Sequence, residues 1–499
     1  MNAIMSTKPY RLHQQYDYTL IHHGAKDTVT GSCHELQVDN MHLLIDCGLF
    51  QGKDSQPLEI EFNIDNIDAL LVTHAHIDHI GRLPWLLAAG FKKPIYCTEA
   101  TAELIPLMLD DGLKLQLGLN QQQREKVLSH LQTLIVPLQY GQKQSIEMRG
   151  RYTREPKSKA IHKNEEISTN NSELSSRSEA QSLSFCFQPA GHILGSAYIE
   201  IVLPNDEVIV FSGDLGPRNT PLLPDPISPK RADYLIIETT YGDKTHDDVA
   251  TRSKRLEVIV EKALRDGGVI LIPAFSVGRT QELLFDIERL IEHSIETEST
   301  DDDFWQQLPI ILDSPLAIEI TRQYLKFHDL WDKEAQSKIS IGRKRHPMAF
   351  EQFVTVESHR DHSKLVNRLA STNEVAIVVA ASGMCNGGRI MNYLEALLPN
   401  KRTDVILAGY QAQGTLGREL QQGESHVSIN DTQIAVNADI HTMSGYSAHA
   451  DQEDLLAFIN GIGSEIKKIH LIHGEPETKR IFKERLYRVR QFNNCVVIE

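Results

Sequence analysis

From Tyr18 to Gly52 short apolar runs alternate with glycine and aspartate, as in Leu43-Leu44-Ile45-Asp46-Cys47-Gly48, and this pattern predicts β-hairpins. A strand then runs to Thr73, breaks at His74-Ala75-His76-Ile77-Asp78-His79, and passes into a helix around Leu83 to Ala89. Residues from about 141 to 181 are polar, rich in Ser, Asn, Glu, Lys and Arg, and predict an extended loop or partly disordered insertion. Strands resume at Leu183.

From Asp233 to about Arg418 the pattern changes to apolar strand, glycine-containing loop and amphipathic helix. Val269 to Ile272 precedes Phe275-Ser276-Val277-Gly278-Arg279, Val375 to Ala381 precedes the loop from Ser382 to Arg389, and Val405 to Ala408 precedes Gly409 to Arg418. Recurrent βα units predict a mostly parallel sheet covered by helices on both faces. Asn437 to His473 then returns to short strands and histidine-bearing loops. The chain reads as one domain interrupted by another: a first part over 1–240 that carries the polar insertion, an inserted domain over 241–425, and a second part over 426–499.

Composition narrows the function classes. The 499 residues, 41% hydrophobic and 24% charged, suffice for two or three domains with cores. No run approaches the roughly eighteen apolar residues that span a bilayer, and the first thirty residues lack a basic stretch followed by an apolar one. The expectation is a cytoplasmic protein with no membrane contact. Six scattered cysteines without a CxxC pair fit reduced thiols better than a disulfide framework. A net charge of −16 argues against general attraction to nucleic acid, so any such site must be local. Two local candidates exist. One is the basic run of Arg149, Arg151, Arg154, Lys157, Lys159 and Lys163. The other is the set of glycine-rich turns after residue 233, where helix N-termini can face an anion and Ser276, Arg279 and Arg389 can add contacts to a substrate phosphate.

Among 22 histidines, the informative ones cluster in His74-x-His76-x-Asp78-His79. At a strand end entering a helix, His74 and His76 can face one metal while Asp78 and His79, past the turn, face another. The plainer reading is that Asp78 only caps the helix. Two cations about 3.5 to 4 Å apart need further ligands and a bridging anion. His192, Asp214 and His473, each at a predicted strand end, can supply the protein ligands. Nitrogen and carboxylate ligands without thiolate favour two zinc ions, with manganese or iron as alternatives.

Gly31-Ser32-Cys33-His34, the run Asp46 to Gly52, the HxHxDH run, the stretch Ala190 to Ala197 and Ser212-Gly213-Asp214 together resemble the metallo-β-lactamase superfamily, and within it the β-CASP branch of nucleic-acid-processing nucleases. Within that branch it resembles the nuclease subunit of the eukaryotic cleavage and polyadenylation specificity factor and its prokaryotic relatives. The resemblance implies an α/β fold, an αββα sandwich with an inserted β-CASP domain. It implies His74, His76 and His192 on one zinc, Asp78, His79 and His473 on the other, and Asp214 between them. Asp46 would orient a ligand from behind. Glu238 and His449 match further β-CASP motifs. The implied activity is hydrolysis of RNA phosphodiester bonds, more endonucleolytic than exonucleolytic, on single-stranded RNA, with a metal-bridging hydroxide as nucleophile. Because His449 is not needed to fill either metal site, it is the expected general acid, with Glu238 on its far nitrogen. By resemblance the leaving atom is the ribose O3′.

Other functions remain open on the sequence: a 5′–3′ exoribonuclease of the RNase J type, a hydrolase of small thioesters or lactams, or a non-catalytic RNA-binding subunit. A homodimer is among the assemblies the sequence allows.

Overall fold

The computed structural model describes residues 18–51, 56–148, 182–296, 305, 307–340, 348, 352–372, 374–489 and 495–499. The basic run expected to meet RNA, from Arg149 to Lys163, lies outside them.

The first sheet is built in chain order from β1 (Tyr18–Gly24), β2 (Cys33–Val38), β3 (Met41–Ile45), β4 (Ala69–Leu71), β5 (Ile95–Thr98) and β6 (Ile135–Leu138). β1 to β3 are antiparallel, and β3 to β6 run parallel. Parallel neighbours need crossovers, which here carry α1 (Ile77–Ile80), α2 (Leu83–Ala88), α3 (Glu99–Leu117) and α4 (Gln121–Leu134). Local chemistry starts the longer two: the Thr98 side chain accepts from the Thr101 N–H, and Asn120 with Gln123 forms a reciprocal capping box.

The second sheet begins with β7 (Gln144–Glu147), β8 (Ser182–Pro189), β9 (Ala197–Val202) and β10 (Val208–Phe211), all antiparallel, followed by β11 (Tyr234–Glu238) parallel to β10. β7 falls inside the stretch predicted to be loop. Its one apolar residue, Ile146, gives no alternation to read, and the strand forms because β8 offers an antiparallel edge.

The chain then leaves for a third sheet. Its strands are β12 (Val269–Pro273), β13 (Ile310–Asp313), β14 (Phe353–Thr355), β15 (Ala376–Ala380) and β16 (Asp404–Leu407). Between and beside them run α5 (Val249–Asp266), α6 (Arg279–Glu296), α7 (Pro315–Lys326), α8 (Lys333–Ser340), α9 (His359–Ser371), α10 (Ile390–Leu397) and α11 (Leu416–Gln421). A small hairpin, β17 (His426–Ile429) and β18 (Thr432–Ala435), follows. β19 (Asp439–Thr442), from beyond residue 425, also joins this sheet, giving the order β14-β13-β15-β12-β16-β19 with every pairing parallel. Every residue of β12, β13, β15 and β16 is buried, as expected where helices cover both faces.

β20 (Lys468–Ile472) and β21 (Val496–Ile498) return to the second sheet beside β11, accompanied by α12 (Gln452–Asn460) and α13 (Pro476–Val489). Three apolar layers result. Leu36, Leu43 and Ile45 meet Phe185, Ile199 and Phe211 between the first two sheets. Leu44, Leu70 and Val72 pack on the α1 to α4 side. Val210, Leu235 and Ile237 pack against Leu455, Ile459 and Phe482. This is the αββα sandwich, with the parallel sheet inserted between β11 and β20. Among the described residues, no helix is long and apolar enough to cross a membrane.

Candidate metal centre

The donor groups follow strand ends or close them. His74 lies just past β4, His192 past β8, Asp214 past β10 and His473 past β20, while Glu238 is the last residue of β11. The residue before β2 and the loop after β3 brace the HxHxDH run: the N–H of Ser32 donates to Asp78 O, that of Cys47 to His79 O and that of Leu49 to Ile77 O, at 2.8 to 3.0 Å. These bonds satisfy carbonyls of the four-residue α1, which has too few turns to do so itself. Gly48 permits the approach, since a Cβ there would lie 1.5 Å from Asp78 O.

Two groups of donors converge. His76 Nδ1 is 3.0 Å from His74 Nε2 and 2.9 Å from His192 Nε2. His192 Nδ1 gives its proton to Ala448 O at 2.7 Å, so Nε2 carries a lone pair into the cluster. Opposite, Asp78 Oδ2 lies 3.8 Å from His473 Nε2 and 3.9 Å from His79 Nε2. Asp214 stands between the groups: its Oδ2 is 3.3 Å from His79 Nε2, 3.6 Å from His192 Nε2 and 3.7 Å from His74 Nε2. Asp46 takes up the remaining face of His79, accepting from its Nδ1 at 2.8 Å and from Thr73 N and Oγ1 at 2.8 and 2.9 Å. Thr240 Oγ1 plays a similar part 3.2 Å from His473 Nδ1. Asp46 and His473 both hold left-handed backbone, φ 59° and 49°, a conformation non-glycine residues rarely adopt outside constrained sites.

Burial holds His74 and His192 well below the ordinary histidine pKa and His76 at about 4, so the three are neutral with lone pairs available. His79 goes the other way. Burial disfavours its charge, but Asp214 and Asp46 outweigh it and raise the pKa. Burial likewise works against ionised Asp214, and the facing His473 and His79 overcome it.

The donor set fits divalent cations. Both Asp214 oxygens, His79 Nε2 and His473 Nε2 are buried without a hydrogen-bond partner, an expensive arrangement for groups that converge on one another. Nitrogens held about 2.0–2.1 Å from one tetrahedral zinc would be about 3.3 Å apart, close to the spacing of the first three histidines. Ligand atoms of His74, His76, His192 and Asp214, and separately of Asp78, His79 and His473, lie within 4.8 Å of one another.

The chain also resembles known proteins along most of its length. Family models match it as metallo-beta-lactamase superfamily over residues 27–155, Beta-Casp domain over 280–420, and Zn-dependent metallo-hydrolase RNA specificity domain over 433–497. It is 34% identical to a ribonuclease of Thermus thermophilus over 459 residues, covering 91% of this chain and 92% of that protein. The chain belongs to the β-CASP family of metallo-β-lactamase-fold hydrolases. It is also 28% identical to transcription termination factors FttA of Methanocaldococcus jannaschii and Methanosarcina mazei. These matches cover 93% and 95% of this chain, and 69% and 70% of those proteins.

The loop between β19 and α12 borders the metal centre through His449. Its Nδ1 is 3.3 Å from Glu238 Oε2 and 3.8 Å from Asp214 Oδ2. Burial opposes charge on this ring, and Glu238 more than compensates, raising the pKa. Bound cations, the largest local charges, would act against that rise. Asp214, Glu238 and His449 form a third set able to hold a cation. The three expected phosphate contacts separate. Ser276 Oγ lies 3.3 Å from Ser314 Oγ, and Arg279 is buried at the start of α6. Arg389 is not brought to the cluster: it donates to Asp313 Oδ1, Val356 O and Glu357 O at 2.5 to 2.8 Å. Thr73, Thr240 and the Ala448 carbonyl were invisible to pattern reading, because orienting partners need no motif.

Proposed function

We propose that this β-CASP chain is a two-zinc endoribonuclease that hydrolyses phosphodiester bonds within single-stranded RNA. The observation that carries the reading is the convergence of buried, unpartnered ring nitrogens and carboxylate oxygens beside the Glu238–His449 pair. The ribonuclease name of the Thermus thermophilus relative supports it. His74, His76 and His192 would hold one ion, Asp78, His79 and His473 the other, and Asp214 both. Bound there, divalent cations supply charge stabilisation at phosphorus and lower the pKa of a water.

The side chains supply the rest. Asp46 and Thr240 fix the ring orientations of His79 and His473, so the donors are preorganised before substrate arrives. His449 stands at the edge of the cluster, where it can hold a proton for the leaving ribose oxygen, and Glu238 keeps that ring oriented and charged. Ser276 and Arg279 would add contacts to the RNA backbone.

The test is cleavage of a linear and a circular single-stranded RNA by the purified chain, with and without chelator. Chelator-sensitive cutting of both is expected. Cutting of the linear form alone would make the enzyme an exonuclease, and cutting of neither would end the ribonuclease reading.

A further inference from the structure

α6 opens beside the metal centre. Gly278, at φ 82°, approaches the His192 loop so closely that a Cβ would meet Ile193 Cγ2 at 2.6 Å. The next residue, Arg279, begins an 18-residue helix and is 5% exposed. Its Nε has no hydrogen-bond partner. Glu282, on the same helix turn, favours its charge but is shared, because Arg252 Nη2 takes that carboxylate at 2.9 Å while Arg252 Nε takes Asp286 at 2.7 Å. The remaining groups that face Arg279 are Tyr241, Tyr446 and His246, none of them anionic in ordinary conditions. A buried guanidinium that shares its neighbouring carboxylate and leaves Nε unpartnered is costly, and a further anion would relieve it. Burial lowers its pKa to about 10, which still leaves it charged at neutral pH.

The location says which anion. Tyr241 packs on His449, ring centroids 6.2 Å apart, and on Tyr410 at 5.8 Å. The guanidinium packs against Gly409, beside Tyr410, where a Cβ would meet Arg279 Nη2 at 3.4 Å. Arg279 therefore lies beyond Tyr241 from His449, and with His449 as proton donor to the O3′ that would be the side of the leaving ribose. The positive end of the α6 dipole adds to its charge there.

We propose that Arg279 and the opening turn of α6 form a subsite for the phosphodiester one linkage 5′ of the scissile bond. The assignment rests on the RNA-cleaving reading above and on departure of the ribose O3′. It makes an extended strand on the leaving side part of the substrate, as an endonuclease requires.

The test uses two synthetic single-stranded RNAs that differ at one linkage, phosphodiester or neutral methylphosphonate, each with a 2′-O-methyl ribose at that nucleotide. Wild-type protein should cut the bond immediately 3′ of the neutral linkage about tenfold or more less often, relative to the other bonds of the same oligomer. In Arg279→Met that relative suppression should vanish, and Arg279→Lys should restore part of it. Absence of suppression in wild type, or equal suppression in Arg279→Met, would overturn the subsite. If wild type cuts neither RNA, the ribonuclease reading fails and binding of the unmodified oligomer decides. Loss of one phosphate contact lowers the slope of log K against log salt by about 0.7, so an unchanged slope in Arg279→Met would also overturn it.

Discussion

Replacing His449 by alanine separates proton donation from metal binding. The ring contacts the Glu238 carboxylate at 3.3 Å and stands 3.8 Å from Asp214, yet neither the four-residue nor the three-residue metal group needs it. Its removal leaves Glu238 Oε1 with the Leu215 N–H at 2.6 Å and Oε2 with the Thr240 N–H at 3.4 Å. The carboxylate thus keeps two donors, and the stability loss should be about 1–3 kcal/mol, the cost of one unmade buried bond. The chemical loss should be larger. A positioned general acid contributes about 10²- to 10⁴-fold, or roughly 3–5 kcal/mol of barrier at 1.36 kcal/mol per tenfold. The assay is single-turnover cleavage of an RNA oligomer, with metal content measured by atomic emission. A second substrate, a nitrophenyl phosphodiester, has a leaving group that departs without a proton. The variant should retain its metals, lose two to four orders of magnitude on RNA, and lose much less on the nitrophenyl ester. Loss of metal would assign His449 to the third cation-holding set with Asp214 and Glu238. Equal losses on both substrates would refute proton donation.

Asp46→Asn should weaken metal retention about 10- to 100-fold against a competing chelator, because the amide no longer accepts from both His79 and Thr73 as a carboxylate does. Gly48→Ala should displace α1 and abolish metal binding while far-UV dichroism changes little, since the added carbon meets the Asp78 carbonyl rather than a mobile side chain. His22 and His470, half-buried and held near pKa 4 chiefly by that burial, should make the metal-free protein less stable as pH falls. Their folded pKa values lie below the unfolded value of about 6.5, so the stability is present above that pH and is lost on the way down to about 4. Urea midpoints at pH 7.5 and 5 should show the drop, and His470→Gln should reduce it.

The periodic parts of this fold were readable because their signals are local. β12, β15 and β16 are apolar runs followed by glycine turns, and each residue of such a strand reports its own burial. The HxHxDH run was readable because one short turn carries four candidate ligand residues at fixed spacing. β7 was not, since Gln144–Glu147 is a polar four-residue edge whose partner is supplied by β8, and although short strands were expected from Asn437 on, nothing local said that β19 would pair with β16 of the inserted sheet. The same distinction runs through the site. Residue identity determined which side chains could act, and resemblance grouped them. Only the tertiary structure decided that His76 lies 2.9 Å from His192 across 116 positions of chain, and Glu238 3.3 Å from His449 across 211. It also decided that Arg389 is tied to Asp313 whereas Arg279 is left without a carboxylate of its own. Both arginines follow glycine turns and look alike in sequence. What differs is which acids the packed helices bring within reach, and that depends on contacts between segments far apart along the chain.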